Sequence, residues 1–150
     1  GALKAFLDEL DMPLNHIKPH GSLYVMASKD EEMCRAIADA VTPFNVSIFG
    51  MANTAHEKIY KEERKLDFVA EFYADLDYDK NGKLVIAKGK QSMYDSKLAV
   101  KRSLRAVSEK RVKTTSGTDI DVGCDTICVH SDTPNAVEII TKIKNALSKK

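Results

Sequence analysis

The sequence predicts an α/β protein, because short strand-like runs alternate with segments of helical character along its 150 residues. Four short runs are predicted as core strands: residues 15–18, 46–50, 68–72 and 126–129. Helical segments separate these runs, which indicates repeated strand–helix units and a parallel sheet. Outside this repeat, Asn81-Gly82 and Ser116-Gly117-Thr118 predict the turns of two small hairpins.

The helices are predicted from caps and apolar stripes. Ser28 begins a capping-box pattern, Asp95 or Ser96 can open a later helix, and Pro134 suits the first turn of the last one. Residues 53–64 have helical character and are strongly charged. The stripes predict three buried faces: Met33, Ile37, Ala40 and Val41; Leu98, Val100, Leu104 and Val107; and Val137, Ile140, Ile143 and Leu147.

Size and composition predict one α/β domain over residues 1–150. The hydrophobic fraction is 43%, which is enough for one core. The 23 Lys and Arg residues nearly balance the 22 Asp and Glu residues, so no net electrostatic field favours binding of nucleic acid or of an anionic membrane. The sequence contains no signal-peptide pattern and no apolar run long enough to span a bilayer. Three cysteines, an odd number, argue against a disulfide framework. We therefore expect a cytoplasmic protein without nucleic-acid or membrane partners.

Three polar clusters follow strand-like runs directly: Lys18-Pro19-His20-Gly21, residues 71–75 and residues 130–134. Loops after parallel strands converge at one edge of a sheet or barrel, where α/β enzymes build their sites. The clusters therefore predict a site at that edge. The basic stretch from Lys101 to Arg111, by contrast, is predicted to be a solvent-exposed face, and an anion-binding site is the alternative.

The first cluster offers a histidine and a lysine. His20, in a Pro-His-Gly turn, is a general base or ligand in one interpretation and a turn residue in the other. Lys18 lies two residues earlier and could contact an anionic group.

The other two clusters offer carboxylates and a second histidine. Glu71 should point to the opposite face from Phe72, where it is either a site residue or the partner of an interior cation such as Lys18. His130 and Asp132 follow the last strand and can join the same site. For Asp132 the alternative is a simple helix N-cap.

The clusters, in this order, resemble the motifs of the LamB/YcsF family. The similar segments are H-I-K-P-H-G-S-L-Y at 16–24, E-F-Y-A-D at 71–75, G-K-L-V at 82–85 and D-T-I-C-V-H-S-D-T-P at 125–134. The chain departs from the family at Leu76, where an arginine is usual, and at Ser131, where glycine is usual. Only the C-terminal two-thirds of the family pattern is matched, and the N-terminal third has no counterpart here.

The resemblance implies part of an irregular TIM-like β/α barrel. It also implies ATP-dependent hydrolysis of the cyclic amide 5-oxoproline to glutamate, as a component of an assembly with separate B and C subunits. By position, it implies catalytic roles for His20, Glu71, His130 and Asp132. It implies substrate or phosphate binding by Lys18 and Asp75, and it names no metal ligand. His20 or His130 would be the base and Glu71 an orienting group.

Two other hypotheses stay open. One is a metal-dependent hydrolase of C–N bonds, similar to carbohydrate deacetylases, with His20, His130 and a carboxylate on the metal. The other is a truncated, non-catalytic binding or assembly relative, which Leu76 and the unmatched N-terminal third favour. A partial barrel would have open sheet edges, which a second chain or self-association could close. We expect enzymatic activity once the missing part is supplied.

Overall fold

The structure is a computed structural model that describes residues 1–86 and 93–149. The chain forms two compact units, Gly1–Val69 and Ala70–Lys150. In each unit strands alternate with helices, as the sequence predicts, and the strand Phe68–Tyr73 begins in the first unit and continues into the second. No helix within these described ranges is both long and apolar enough to cross a membrane.

The first unit is built on two short parallel strands. Its elements, in order, are α1 (Ala2–Glu9), β1 (His16–Ile17), α2 (Gly21–Ala27), α3 (Glu31–Val41), a 3₁₀ turn (Thr42–Phe44), β2 (Ser47–Gly50), a π-helix (Glu57–Glu63) and the start of β3 (Phe68–Tyr73). β1 and β2 pair with Ile17 opposite Ile48. The core includes the buried residues Ala27, Cys34, Ala38, Val41, Ile48, Ile59 and Tyr60.

The N-cap of α3 differs from the prediction. Asp30, not Ser28, caps this helix, and its carboxylate accepts a hydrogen bond from the Met33 N–H at 3.0 Å. The Ser28 hydroxyl instead donates to the Val25 carbonyl at 2.8 Å. Ser28 follows α2 so closely that its side chain bonds back to that helix, which leaves the N-cap to Asp30.

The second unit pairs the rest of β3 in parallel with the last strand. Its further elements are β4 (Asp77–Tyr78), β5 (Leu84–Val85), α4 (Ser96–Glu109), β6 (Arg111–Lys113), β7 (Asp119–Asp121), β8 (Thr126–Cys128) and α5 (Ala136–Leu147). Glu71 lies opposite Thr126, and Tyr73 lies opposite Cys128. β4–β5 and β6–β7 are antiparallel, so both predicted hairpins are confirmed.

The buried faces of α4 and α5 are rotated from the predicted ones. In α4 the buried side chains are Ser96, Ala99, Arg102, Ser103 and Ala106. In α5 they are Ala136, Ile139 and Ile143. Val137 is 80% exposed and Leu98 43% exposed. The buried face of α4 is made mostly of small residues, and the Ser96 hydroxyl donates to the Glu138 carboxylate of α5 at 2.8 Å, so hydrophobicity alone does not select the face.

The last helix also begins later than predicted, at Ala136 after the N-cap residue Asn135. Thr133 and Pro134 precede it. The Thr133 hydroxyl donates to Asp75 at 2.9 Å, and this contact keeps the start of the segment outside the helix.

Candidate active site

The candidate site is a hydrogen-bonded cluster in the second unit, centred on the carboxylate of Asp75. Asp75 follows β3, and its side chain is fully buried. One oxygen, Oδ2, accepts hydrogen bonds from the His130 N–H at 2.8 Å and the Thr133 hydroxyl at 2.9 Å. The other, Oδ1, lies 2.9 Å from Nδ1 of the His130 ring. A single buried carboxylate therefore fixes both the backbone and the side chain of His130.

These contacts decide where the protons lie. Burial by itself would raise the pKa of Asp75, but the hydrogen bonds from the His130 side chain and backbone and from Thr133 outweigh it and lower that pKa. An ionised carboxylate only accepts hydrogen bonds, so Nδ1 of His130 is the donor. In the neutral ring Nε2 then carries the lone pair, which is the tautomer that a histidine general base requires.

Tyr73 connects this pair to Glu71. The Tyr73 ring stacks on the His130 ring, with centroids 5.6 Å apart. Its hydroxyl donates to Glu71 Oε2 at 2.9 Å. Glu71 is only 6% exposed. Glu71 and Tyr73 are two residues apart on β3, so their side chains lie on the same face of the strand, opposite to that of Phe72, as predicted for Glu71.

The register of β3 and β8 places the cluster. At one end of the pair, Asp125 donates its N–H to the Ala70 carbonyl at 2.8 Å and accepts the Ala70 N–H on its side chain at 3.0 Å. At the other end, the Ala74 N–H bonds the Cys128 carbonyl at 3.0 Å. Both strands thus end together, and the residues that follow them, Asp75 and His130, meet.

Lys18 and His20 belong to the first unit. His20 is the N-cap residue of α2 and is exposed, while Lys18 is half-buried. The Lys18 ammonium lies over the Tyr24 ring, 5.6 Å from its centroid. This cation–π contact restrains the ammonium group.

The structure thus brings together three of the predicted site residues, Glu71, Asp75 and His130. Asp132 is exposed and is not a partner in the hydrogen bonds of the Asp75 carboxylate described here. It is not the N-cap of α5 either, because that position is Asn135. A catalytic role for Asp132 remains a prediction.

Three residues in or next to the candidate site were not predicted from the sequence. Thr133 and Tyr73 lie inside the polar clusters, and the alternation of Tyr73 with Glu71 was the available signal. Arg102 was placed on a solvated face, but its side chain is only 7% exposed. Its burial among aromatic rings could not be predicted from the charge pattern around it.

Two further features of the described residues bear on the chemistry. No group of three or more His, Cys, Asp and Glu side chains among them is arranged to hold a metal ion. A groove of about 600 Å³ lies between β8 and the helices, lined mainly by apolar side chains such as Val107, Ile127, Val129, Ile140 and Leu147. It lacks the histidine and carboxylate pairing of the Asp75 cluster, which is the better candidate for catalysis.

Comparison with known proteins identifies the family. The family model of LamB/YcsF matches residues 1–150, the whole of this chain. The chain belongs to the LamB/YcsF family. Relatives named as the A subunit of 5-oxoprolinase include those of Campylobacter jejuni subsp. doylei, 38% identical over 99% of this chain, and Thermococcus onnurineus, 39% identical over 98% of it. These alignments cover 59% and 58% of the relatives, so the chain spans about three-fifths of their length.

A solved structure confirms the predicted fold class. The lactam utilization protein from Thermus thermophilus matches 99% of this chain and 60% of its own, with a TM-score of 0.83 and 36% identity. The chain therefore has the α/β fold expected of part of an irregular TIM-like β/α barrel.

Proposed function

We propose that this LamB/YcsF chain is a component of an ATP-dependent 5-oxoprolinase that hydrolyses 5-oxoproline to glutamate. The observation that carries the proposal is the Asp75–His130 pair, with a buried carboxylate 2.9 Å from Nδ1 of the imidazole. The relatives' naming as the A subunit of 5-oxoprolinase supports the choice of reaction.

In the proposed mechanism, His130 is the general base. Its Nε2 takes a proton from a water molecule, and the oxygen of that water attacks the carbonyl carbon of the lactam. The imidazolium that forms is stabilised by the Asp75 carboxylate, which stays ionised. Collapse of the tetrahedral intermediate breaks the C–N bond, and the imidazolium returns its proton to the leaving nitrogen. Tyr73 and Glu71 hold the face of the imidazole ring against rotation.

ATP enters the proposal because a lactam carbonyl is a poor electrophile. Transfer of the γ-phosphoryl group to the carbonyl oxygen, with release of ADP, supplies a better one. Cleavage of the C–N bond then leaves an acyl phosphate, which a second water molecule hydrolyses to glutamate and inorganic phosphate. The sequence contains neither a Walker-type loop nor a Gly-x-Gly-x-x-Gly motif. A nucleotide, if this chain holds one, is therefore not held by either of these devices, and we assign the phosphoryl transfer to no residue of this chain. Lys18, restrained over Tyr24, remains the candidate contact for a phosphate or carboxylate.

The naming of the relatives as one lettered component of an enzyme implies partner chains. We propose B and C subunits as those partners and the cytoplasm as the location. His20 and Asp132 stay in the proposal as second candidates for proton transfer, and separate variants distinguish them from His130.

The proposal is tested by glutamate formation from 5-oxoproline and ATP. This chain is joined to the N-terminal third of a LamB/YcsF relative and added to the partner subunits of that relative. We expect His130→Gln to lower kcat by at least about 100-fold, because glutamine fills the space but cannot accept a proton. His20→Gln and Asp132→Asn, assayed in parallel, should have smaller effects.

His16→Gln is the matched control, because His16 is an exposed histidine that stacks on Phe49 and bonds the side chain of Asn15. It should leave turnover unchanged. Wild-type turnover in His130→Gln would remove His130 from the mechanism. An active partner set that forms no glutamate with the wild-type chain would overturn the choice of substrate.

A further inference from the structure

Arg102 is a buried cation that the proposed mechanism does not use. Its guanidinium lies between two aromatic rings, 5.8 Å from the centroid of Tyr78 and 5.7 Å from that of Tyr94. It also bonds the Tyr94 hydroxyl. Burying a guanidinium costs solvation free energy, and a buried ion pair often fails to recover that cost. The ion pair of Arg102 is therefore weak evidence that this residue stabilises the fold. The contacts of this side chain therefore need another reason.

The planar guanidinium, whose two terminal nitrogens form a fork, donates hydrogen bonds to the residues immediately after Asp75. Nη2 donates to the Leu76 carbonyl at 2.7 Å, and Nη1 donates to Asp77 Oδ1 at 2.8 Å. The Tyr94 hydroxyl reaches the same Asp77 oxygen at 2.9 Å. Two consecutive residues after Asp75 are thus fixed by one planar group, which a lysine ammonium could not do in the same geometry.

The same segment is tied back to β3. The Tyr73 N–H donates to the Tyr78 hydroxyl at 2.9 Å, and the Tyr78 ring stacks on Phe72 with centroids 5.7 Å apart. The turn between Tyr73 and Tyr78 is therefore closed on both sides, and Asp75 lies inside it.

We propose that Arg102 is a positioning residue, whose fork holds residues 76–78 so that the Asp75 carboxylate stays in contact with His130 and Thr133. The consequence for catalysis rests on the proposed function, whereas the consequence for Asp75 itself does not. An error of about 1 Å in such a site can cost roughly 100-fold in rate, so the fork matters although it touches no reacting atom.

The test is the titration of the Asp75 carboxyl carbon by NMR in the intact chain, which needs no substrate. In Arg102→Gln and Arg102→Lys we expect the pKa of Asp75 to rise from its lowered value, because the hydrogen bonds that lower it lose their alignment. Because Arg102→Lys keeps the positive charge, a rise in that variant reports a change of geometry and not the loss of a cation. In the active assembly, kcat should fall with little change in KM.

Arg102→Lys is the decisive variant, because it keeps the positive charge and the alkyl stem and removes only the planar fork. Arg105→Gln is the control, since Arg105 lies on the same helix but pairs with Glu109 and Asp119. An unchanged Asp75 titration in Arg102→Lys would overturn the proposal. A raised pKa together with no hydrolysis by the wild-type assembly would leave Arg102 as a positioning residue and remove only the proposed function.

Discussion

At the scale of residues, two histidines show how partners decide chemistry. Nδ1 of His130 faces the Asp75 carboxylate. His56 is fully buried, its Nδ1 accepts the Met51 N–H at 3.1 Å, and its ring stacks on that of Tyr60. No carboxylate faces His56 in the contacts that the structure gives. His130 therefore suits proton transfer, whereas His56 suits the core.

His56 should make the stability of the protein depend on pH. Burial lowers the pKa of His56 from 6.5 to about 4. The unfolded chain thus binds a proton between these values while the folded chain does not, so stability falls as the pH decreases through this range. The loss is roughly 3 kcal/mol in the free energy of unfolding.

Urea denaturation of the wild type and of His56→Gln, between pH 6.5 and pH 4, measures this loss. The unfolding free energy of the wild type minus that of the variant should fall by this amount as the pH falls, whatever the variant costs at neutral pH. A constant difference would show that His56 becomes protonated without cost. His16→Gln, a surface histidine variant, should track the wild type.

At the scale of elements, the end of β2 is set by a close approach. A Cβ placed on Gly50 would lie 2.7 Å from Cε2 of Phe68 and 2.8 Å from Cβ of His56. Neither contact can be relieved without moving a packed side chain or the backbone. The glycine that ends this strand in the sequence is therefore required for packing and not for a turn.

We expect Gly50→Ala to destabilise the protein by about 1–3 kcal/mol, the usual cost of forcing extra volume into a packed core. Chemical denaturation followed by circular dichroism measures it. Gly1→Ala is the control, because a methyl group there meets no atom within 4 Å. Equal midpoints for the two variants would show that the β2 end is loosely packed.

The elements also show what a sequence can predict. The strands and hairpins were found because apolar runs and Asn-Gly turns are local signals. The buried face of α4 was not predicted, because its buried residues include small ones such as Ala99 and Ser103, which carry no strong hydrophobic signal. The start of α5 was misplaced because Thr133 is engaged by Asp75, a residue distant in sequence.

At the scale of the whole molecule, the convergence of Glu71, Asp75 and His130 could be predicted because loops after parallel strands meet. The roles of Thr133 and Arg102 could not, because they depend on side-chain packing. The chain spans about three-fifths of its 5-oxoprolinase relatives, and for that reason the activity of the whole protein is proposed from the site.

The central claim, that Asp75 holds His130 in the tautomer of a general base, is tested most directly by ¹⁵N NMR of the His130 ring in the intact chain. We predict that at neutral pH the proton lies on Nδ1 and the lone pair on Nε2. In Asp75→Asn the amide oxygen should keep the Oδ2 position, because the His130 N–H and the Thr133 hydroxyl both donate there. The amide nitrogen then faces Nδ1 and moves the ring proton to Nε2. A wild-type ring already protonated on Nε2, and unchanged in Asp75→Asn, would contradict the account.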